Sequence, residues 1–248
     1  MTSDANILPF RKPDRRREPR DVLGGMLLRE RARLASQPAA FRAAVNSLAG
    51  AGPAVAAPVD LAPLRALRAT LFVAPGREPE MHRIWRETLA TAVLASLIAE
   101  PLQLDRCVMV GAALLHRLDE ILFVAAVARA EATTPLRLRG LALRRAYSER
   151  DAVLEGLLDG WDLDPRVVPA VRDWRSCLDL REGGDGFTVS RGVYFAHLLA
   201  MTRLYPEEGA PGIVELAARE LHVPVAVTQA VGDAAHWLSR TFRALSGV

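Results

Sequence analysis

The sequence predicts an all-α protein made of many short to medium helices. Half of the 248 residues are hydrophobic but only 6% are aromatic, so the apolar content comes mainly from Ala, Leu and Val. This balance favours helices packed on helices, because Ala and Leu have high helix propensity. No segment alternates apolar and polar residues for long enough to predict a strand. The predicted architecture is therefore a multi-helix bundle.

The stretch from Met81 to Ala128 carries the strongest helical pattern. Its first part has apolar residues at helical spacing and ends at Glu100-Pro101, because a residue before proline is disfavoured in a helix. Asp105 is a suitable cap for a second helix, which is apolar on nearly every side from Val108 to Val127. Such a helix lies inside a protein. Its polar residues are expected to be paired or functional; they are His116, Arg117, Asp119 and Glu120.

The first 59 residues are predicted to form two units ahead of the main domain. Residues 1–21 are rich in Pro and Arg and predict a disordered basic arm. Residues 22–59 predict a helical segment, with a break near Gln37-Pro38, and a linker rich in Gly, Pro and Ala. The amphipathic part from Val22 to Leu48 could supply a dimer or partner helix. The main domain is predicted over residues 60–248.

The remaining elements follow from caps, turns and helical spacing. Asp60 caps a helix from Leu61 to Val73, and Trp161 and Trp174 are expected to be core residues that flank a helical hairpin. The Gly183–Gly186 segment is predicted to form a surface turn. Two helical segments are predicted on either side of a turn at Gly160–Pro165, with Asp164 as the cap of the second. Further helices are predicted over Thr134–Ala146, from Thr188 or Ser190 to Arg203, over Gly212–Glu220 and over Val223–Leu245.

Charge and cysteine content exclude several classes of protein. The formal net charge is only +3 and the predicted pI is 9.3, a mild excess that does not indicate a nucleic-acid partner. The longest apolar runs are too short to cross a membrane, and the basic N-terminus lacks the apolar core of a secretory signal. Cys107 and Cys177 lie far apart, without the spacing of a zinc site. The expectation is a cytoplasmic protein without a cofactor.

Segments of the second half resemble the HDOD family, the HD-related output domain of bacterial signalling proteins. WRETLATAVLASLIAE resembles the family's Trp-Arg-His-Ser helix, and VGAALLHRLDEILFV resembles its Gly-Leu-Leu-His-Asp-Ile-Gly helix. SERDAVLEGLLDGWDLDPRVVPAVRDW resembles the block with a Trp-Gly-Leu-Pro turn, and RGVYFAHLLAMTRL and VELAARELHVP resemble the last two helices. The resemblance covers roughly Leu61 to Ala244, and it implies an HD-like bundle. Residues 1–59 depart from the family pattern.

The resemblance also places a degenerate metal motif in this chain. HD-type phosphohydrolases, the wider relatives, hold a metal with a His, a His-Asp pair and a late Asp. The corresponding positions here are Glu87, the pair His116-Arg117, and His197. In that chemistry the metal lowers the pKa of a bound water, whereas a guanidinium cannot ligate a cation. The resemblance therefore implies a vestigial site.

Three interpretations of these positions remain open. In the first, Arg117 supplies the positive charge that the metal supplied, and forms a buried ion pair with Glu87. In the second, Glu87, His116 and His197 still bind a metal, joined by Asp119, and Arg117 points away. In the third, the site binds a phosphate or nucleotide; the candidate anion-binding residues are Arg86, Arg117 and Arg175.

The resemblance implies a non-catalytic regulatory module that passes a signal by binding another protein. Its expected partners are unidentified signalling proteins, or a second copy of the chain bound through exposed apolar faces. Two alternatives are kept. One is a divergent metal-dependent phosphohydrolase that acts on nucleotides, and the other is a regulator that binds nucleotides or nucleic acid through the basic arm and arginine patches.

Overall fold

The structure is a computed structural model that describes residues 19–51, 59–133, 152–176, 188–207 and 212–245. Regular secondary structure in these ranges is helical, without a strand, which confirms the all-α class. Residues 152–158 are also helical. The other helices are α1 (Pro19–Leu34), α2 (Pro38–Ala49), α3 (Leu61–Leu71), α4 (Glu78–Ile98), α5 (Arg106–Leu115), α6 (Leu118–Thr133), a 3₁₀ turn (Asp159–Trp161), α7 (Val167–Asp173), α8 (Val189–Leu204), α9 (Ile213–Glu220), α10 (Val225–Asp233) and α11 (Ala235–Leu245).

Helices α4, α5 and α8 pack against one another at the centre of the molecule. Most side chains of α4 and α5 are buried, as their apolar sequences predict. α8 approaches α5 closely at Gly192, where an added Cβ atom would lie 2.7 Å from Cε of the buried Met109 side chain. This contact brings the polar positions of α8 next to those of α4 and α5. The remaining helices surround this centre, with α2 against α3 and α5, α7 against α5 and α8, α9 against α8, and α10 against α4.

The first helix in the described part of the chain belongs to the fold. α1 packs on α6 through a small hydrophobic cluster that is separate from the main core, in which Leu23, Leu27 and Ala126 have no exposed surface. The buried carboxylate of Glu30 lies between α1 and α6, where it contacts Arg33 and Arg129. One apolar face of α1 is therefore buried within the chain, whereas Leu28 of the same helix is 57% exposed.

Several predicted helix boundaries are confirmed. α4 ends just before Glu100-Pro101, and the side chain of Asp105 caps α5 by accepting a hydrogen bond of 3.1 Å from the Val108 amide. Asp60 and Thr188 cap α3 and α8 in the same way. The break near Gln37-Pro38 separates α1 from α2.

Three predicted helices are wrong in extent. The predicted helix from Val108 to Val127 is two helices, with a break at His116-Arg117. The cause is local: Nδ1 of His116 lies 2.6 Å from the Ala113 carbonyl oxygen, which in a continuous helix would accept the Arg117 amide. The Val223–Leu245 helix is interrupted at Ala234, and α7 begins at Val167 instead of next to Asp164. The predicted Thr134–Ala146 helix, the Gly183–Gly186 turn and most of residues 1–21 lie outside the described residues.

Candidate functional site

The polar positions of the central helices meet at the bottom of an open cavity of about 620 Å³. α4 contributes Glu87, the junction between α5 and α6 contributes Arg117, and α8 contributes His197. Arg175 lies just after α7 and Tyr205 just after α8. The site therefore collects residues more than a hundred positions apart, and packing of the three central helices determines their positions.

A buried ion pair occupies the bottom of the site. The guanidinium of Arg117, a residue only 7% exposed, contacts Oε2 of Glu87, which is 4% exposed. Nε of Arg117 also donates to Oε2 of Glu120 over 3.0 Å, and the Tyr205 hydroxyl donates to Oε1 of Glu87 over 3.1 Å. The contact between Arg117 and Glu87 is the one expected by the first of the three interpretations of these positions.

Arg175 extends this pair into a network. Its Nη1 donates to Oδ2 of Asp119 over 2.7 Å, and its Nη2 contacts Oε1 of Glu120. Burial alone would raise the pKa of Glu120, but hydrogen bonds and charge from Arg117 and Arg175 outweigh it and hold this pKa below its usual value. Glu120 is therefore ionised and bridges two arginines. The guanidinium of Arg175 also lies 4.7 Å above the ring of Trp174, where a cation is attracted.

The two histidines form a neutral hydrogen-bonded pair. A carbonyl only accepts, so Nδ1 of His116, 2.6 Å from the Ala113 oxygen, carries a proton. Burial, only partly offset by that hydrogen bond, lowers the pKa of His116 to about 3. Burial is also the main reason that the pKa of His197 falls to about 2, with His116 and Arg117 adding to it. Nε2 of neutral His116 then accepts a hydrogen bond of 3.2 Å from Nδ1 of His197.

Trp174 holds both imidazoles in place. Its ring meets His116 edge to face at a centroid distance of 4.7 Å and meets His197 at 4.9 Å. Trp174 is 5% exposed and is buried as the sequence predicts, and Trp161 is likewise buried against Phe41. Trp174 thus serves the core and also forms a wall of the site.

The donor geometry does not fit the metal that the HD-type motif implies. His116 has no free nitrogen, because one faces a carbonyl and the other faces His197. Glu87 is engaged by Arg117 and Tyr205, and Asp119 is turned towards Arg175. In the described part of the chain, no group of three or more His, Cys, Asp or Glu side chains is arranged to hold a metal ion. A cation placed here would also meet the charge of Arg117.

The three predicted anion-binding arginines are not equivalent. Arg117 and Arg175 lie in the cavity, but their guanidinium groups are engaged by carboxylates. Arg86 is exposed and is not among the residues that line the cavity. Arg83, which the sequence analysis missed, lines it instead, and no ion pair to Arg83 occurs within the described ranges. Its position one helical turn before Glu87 is the signal that could have identified it.

Comparison of the chain with protein-family models, with curated proteins and with solved structures finds no match. In the described ranges, no helix is long and apolar enough to cross a membrane.

Proposed function

We propose that this chain is a non-catalytic regulatory module of the HDOD type that acts by binding another protein in bacterial signal transduction. The observation that carries the proposal is the ion pair of Arg117 with Glu87 at the bottom of the site. Here a permanent cation takes the place of the metal, and each carboxylate beside it already has a partner. The proposal also places the protein in the cytoplasm.

The electrostatics of the site support a structural role for its polar groups. Catalysis by general acid and base requires groups whose pKa lies near the working pH. The pKa values of His116 and His197 lie at about 3 and about 2, so both imidazoles remain neutral and bonded to each other at neutral pH. These pKa values argue against acid–base catalysis by the histidines, and the donor geometry described above does not fit a metal. A metal-dependent phosphohydrolase that acts on nucleotides is therefore the alternative with the least support.

The rim of the cavity is apolar on one side. Ile213 lines the cavity and is 36% exposed, and Leu216, about one helical turn further along α9, is 48% exposed. Exposed apolar residues beside a polar cavity are common where another protein binds. A partner that contacts α9 would cover these two side chains.

Binding of a small anion in the same cavity is a second candidate function. The specific observation that favours it is Arg83, which faces the cavity without a carboxylate partner among the described residues. The cavity volume is within the range of small-molecule sites. In this case an Arg83→Gln variant would lose affinity for a nucleotide such as AMP, while protein binding would be unaffected.

The test combines a hydrolysis assay with capture of a partner. Purified protein is incubated with nucleotides and with Mg²⁺, Mn²⁺ or Zn²⁺, and turnover that disappears in His116→Ala would overturn the proposal. In cells, a photo-cross-linking residue at Leu216 is expected to capture one defined protein, whereas the same group at exposed Arg42 on α2 captures none. Absence of a specific product at Leu216 would contradict protein binding at this rim.

A further inference from the structure

A second cleft lies between α3 and the beginning of α4, on a part of the molecule that shares no lining residue with the first cavity. Its volume is about 370 Å³. Pro75 lines the cleft, and the next residue, Gly76, has φ of +82°, a conformation that favours glycine. The side chains that matter for its chemistry are Arg65, Arg68, Phe72, Glu78, Met81 and His82.

The cleft carries more positive than negative charge, because Arg65 and Arg68 line it and Glu78 is the one carboxylate among its lining residues. Neither Arg65 nor Arg68 forms an ion pair within the described ranges, whereas nearby Arg77 pairs with Glu80 and Glu131. The one acid in the lining, Glu78, is exposed, and its Oε1 accepts a hydrogen bond of 2.8 Å from the Gly76 amide. The arginines are therefore available to an anion from solution.

His82 adds a neutral donor to this charge. Nη2 of Arg68 lies 3.1 Å from Nδ1 of His82, and a guanidinium can only donate, so Nδ1 accepts and the ring proton is on Nε2. Burial, followed by the charges of Arg68 and Arg86, lowers the pKa of His82, which keeps the ring neutral. The side chains of Arg65, Arg68 and His82 thus all present N–H groups.

Apolar side chains lie beside these donors. Phe72 and Met81 are buried, and Val73 is 39% exposed at the edge of the cleft. The cleft therefore has a cationic side and an apolar side. This combination suits a ligand that joins an anion to a small organic group.

We propose that this cleft is a binding site for a phosphate monoester. The phosphoryl oxygens would accept hydrogen bonds from Arg65 and Arg68, since guanidinium matches phosphate with two parallel donors, and from the His82 ring. The organic group would contact Phe72 and Val73. The volume exceeds that of a bare phosphate and is within the range of small-ligand sites. This site is independent of the proposed regulatory function.

The experiment is isothermal titration calorimetry of the full chain with phenyl phosphate. Inorganic phosphate and phenol, which each represent one half of that molecule, are titrated for comparison. Phenyl phosphate is expected to bind more tightly than either, because it alone uses both sides of the cleft. Arg68→Gln and Arg65→Gln should each weaken phenyl phosphate binding by about tenfold, the usual effect of losing a charge-assisted hydrogen bond. Arg42→Gln, which removes an exposed arginine on α2 that has no ion pair among the described residues, should leave the affinity unchanged.

Three results would overturn the proposal. One is no detectable binding of phenyl phosphate by the parent protein at millimolar concentration. Another is equal weakening in all three variants, which would indicate attraction by net charge alone. The third is binding to phosphatidic acid vesicles that phenyl phosphate does not displace, which would indicate a membrane surface. If Arg68→Gln disturbs folding through its contact with His82, the exposed Arg65 position still decides the question.

Discussion

Replacement of Arg117 by methionine tests the ion pair at the centre of the site. The variant removes the guanidinium but keeps a long side chain that fills a similar volume. Among the described residues, Glu87, which is 4% exposed, then retains only the Tyr205 hydroxyl as a side-chain partner, whereas Glu120 keeps its contact with Arg175. The cost is therefore dominated by a buried carboxylate that has lost its counter-charge.

The magnitude follows from the cost of breaking a buried pair on one side only. That cost is about 3–5 kcal/mol, a large part of the roughly 5–15 kcal/mol by which domains are stable. For a chain of this size it corresponds to a fall of roughly 10 °C in the melting temperature. Replacing both partners removes the unpaired charge, so Glu87→Met/Arg117→Met should recover at least half of the loss.

Urea denaturation followed by circular dichroism measures these differences at pH 7. The matched control is Arg166→Met, which breaks a surface pair with Asp164 and should change stability little. An Arg117→Met variant as stable as the control would refute the structural role of the pair. A double variant less stable than Arg117→Met would refute the explanation by unpaired charge.

Three further predictions concern the histidine pair, the helix contacts and α1. The pKa values of His116 and His197 are lowered to about 3 and about 2 in the folded protein, whereas the ordinary pKa of histidine is about 6.5. Below pH 6.5 the unfolded chain therefore binds more protons than the folded chain, and stability is lost as the pH falls from about 6.5 towards 3. Free energies of unfolding from urea denaturation at pH 7 and pH 5 should differ by on the order of 4 kcal/mol, and equal values would contradict a buried neutral pair. In Gly192→Ala the new Cβ would lie 2.7 Å from Cε of Met109, a fully buried side chain that would have to shift, so this variant should be about 1 kcal/mol less stable than Gly111→Ala, whose new Cβ has its nearest contact at 3.5 Å. The reverse order in thermal denaturation would be evidence against this packing. Leu27→Ala should cost about 2–5 kcal/mol if α1 is part of the fold, and an unchanged urea midpoint would show that α1 is a separable arm.

Much of the fold could be predicted because local signals agree with it. Helix ends were predicted correctly from caps and from a proline, because both act within a few residues along the chain. The residues concerned are Asp60, Asp105, Thr188 and Pro101. The break at His116-Arg117 could not be read from hydrophobic spacing. It depends on a hydrogen bond from the His116 side chain to the Ala113 carbonyl oxygen, which neither the composition nor the spacing of apolar residues reveals.

The centre of the site was predictable and its surroundings were not. Charge complementarity indicated that buried Arg117 needs an acid, and Glu87 is that acid. Tyr205 was missed because it enters the site only through the packing of α4 against α8, which is a tertiary effect, whereas Arg83 could have been identified from its position one turn before Glu87 on α4. The role of α1 was missed because its partner surface on α6 is recognisable only after α6 has been placed in the bundle.

The metal content of the protein tests most directly whether a side-chain cation stands where a metal would be. Parent protein and His116→Ala are purified without chelators and without metal-affinity chromatography, and bound metals are measured by mass spectrometry. The ion-pair account predicts substoichiometric metal in both proteins. Near-stoichiometric metal in the parent protein, lost in His116→Ala, would contradict it.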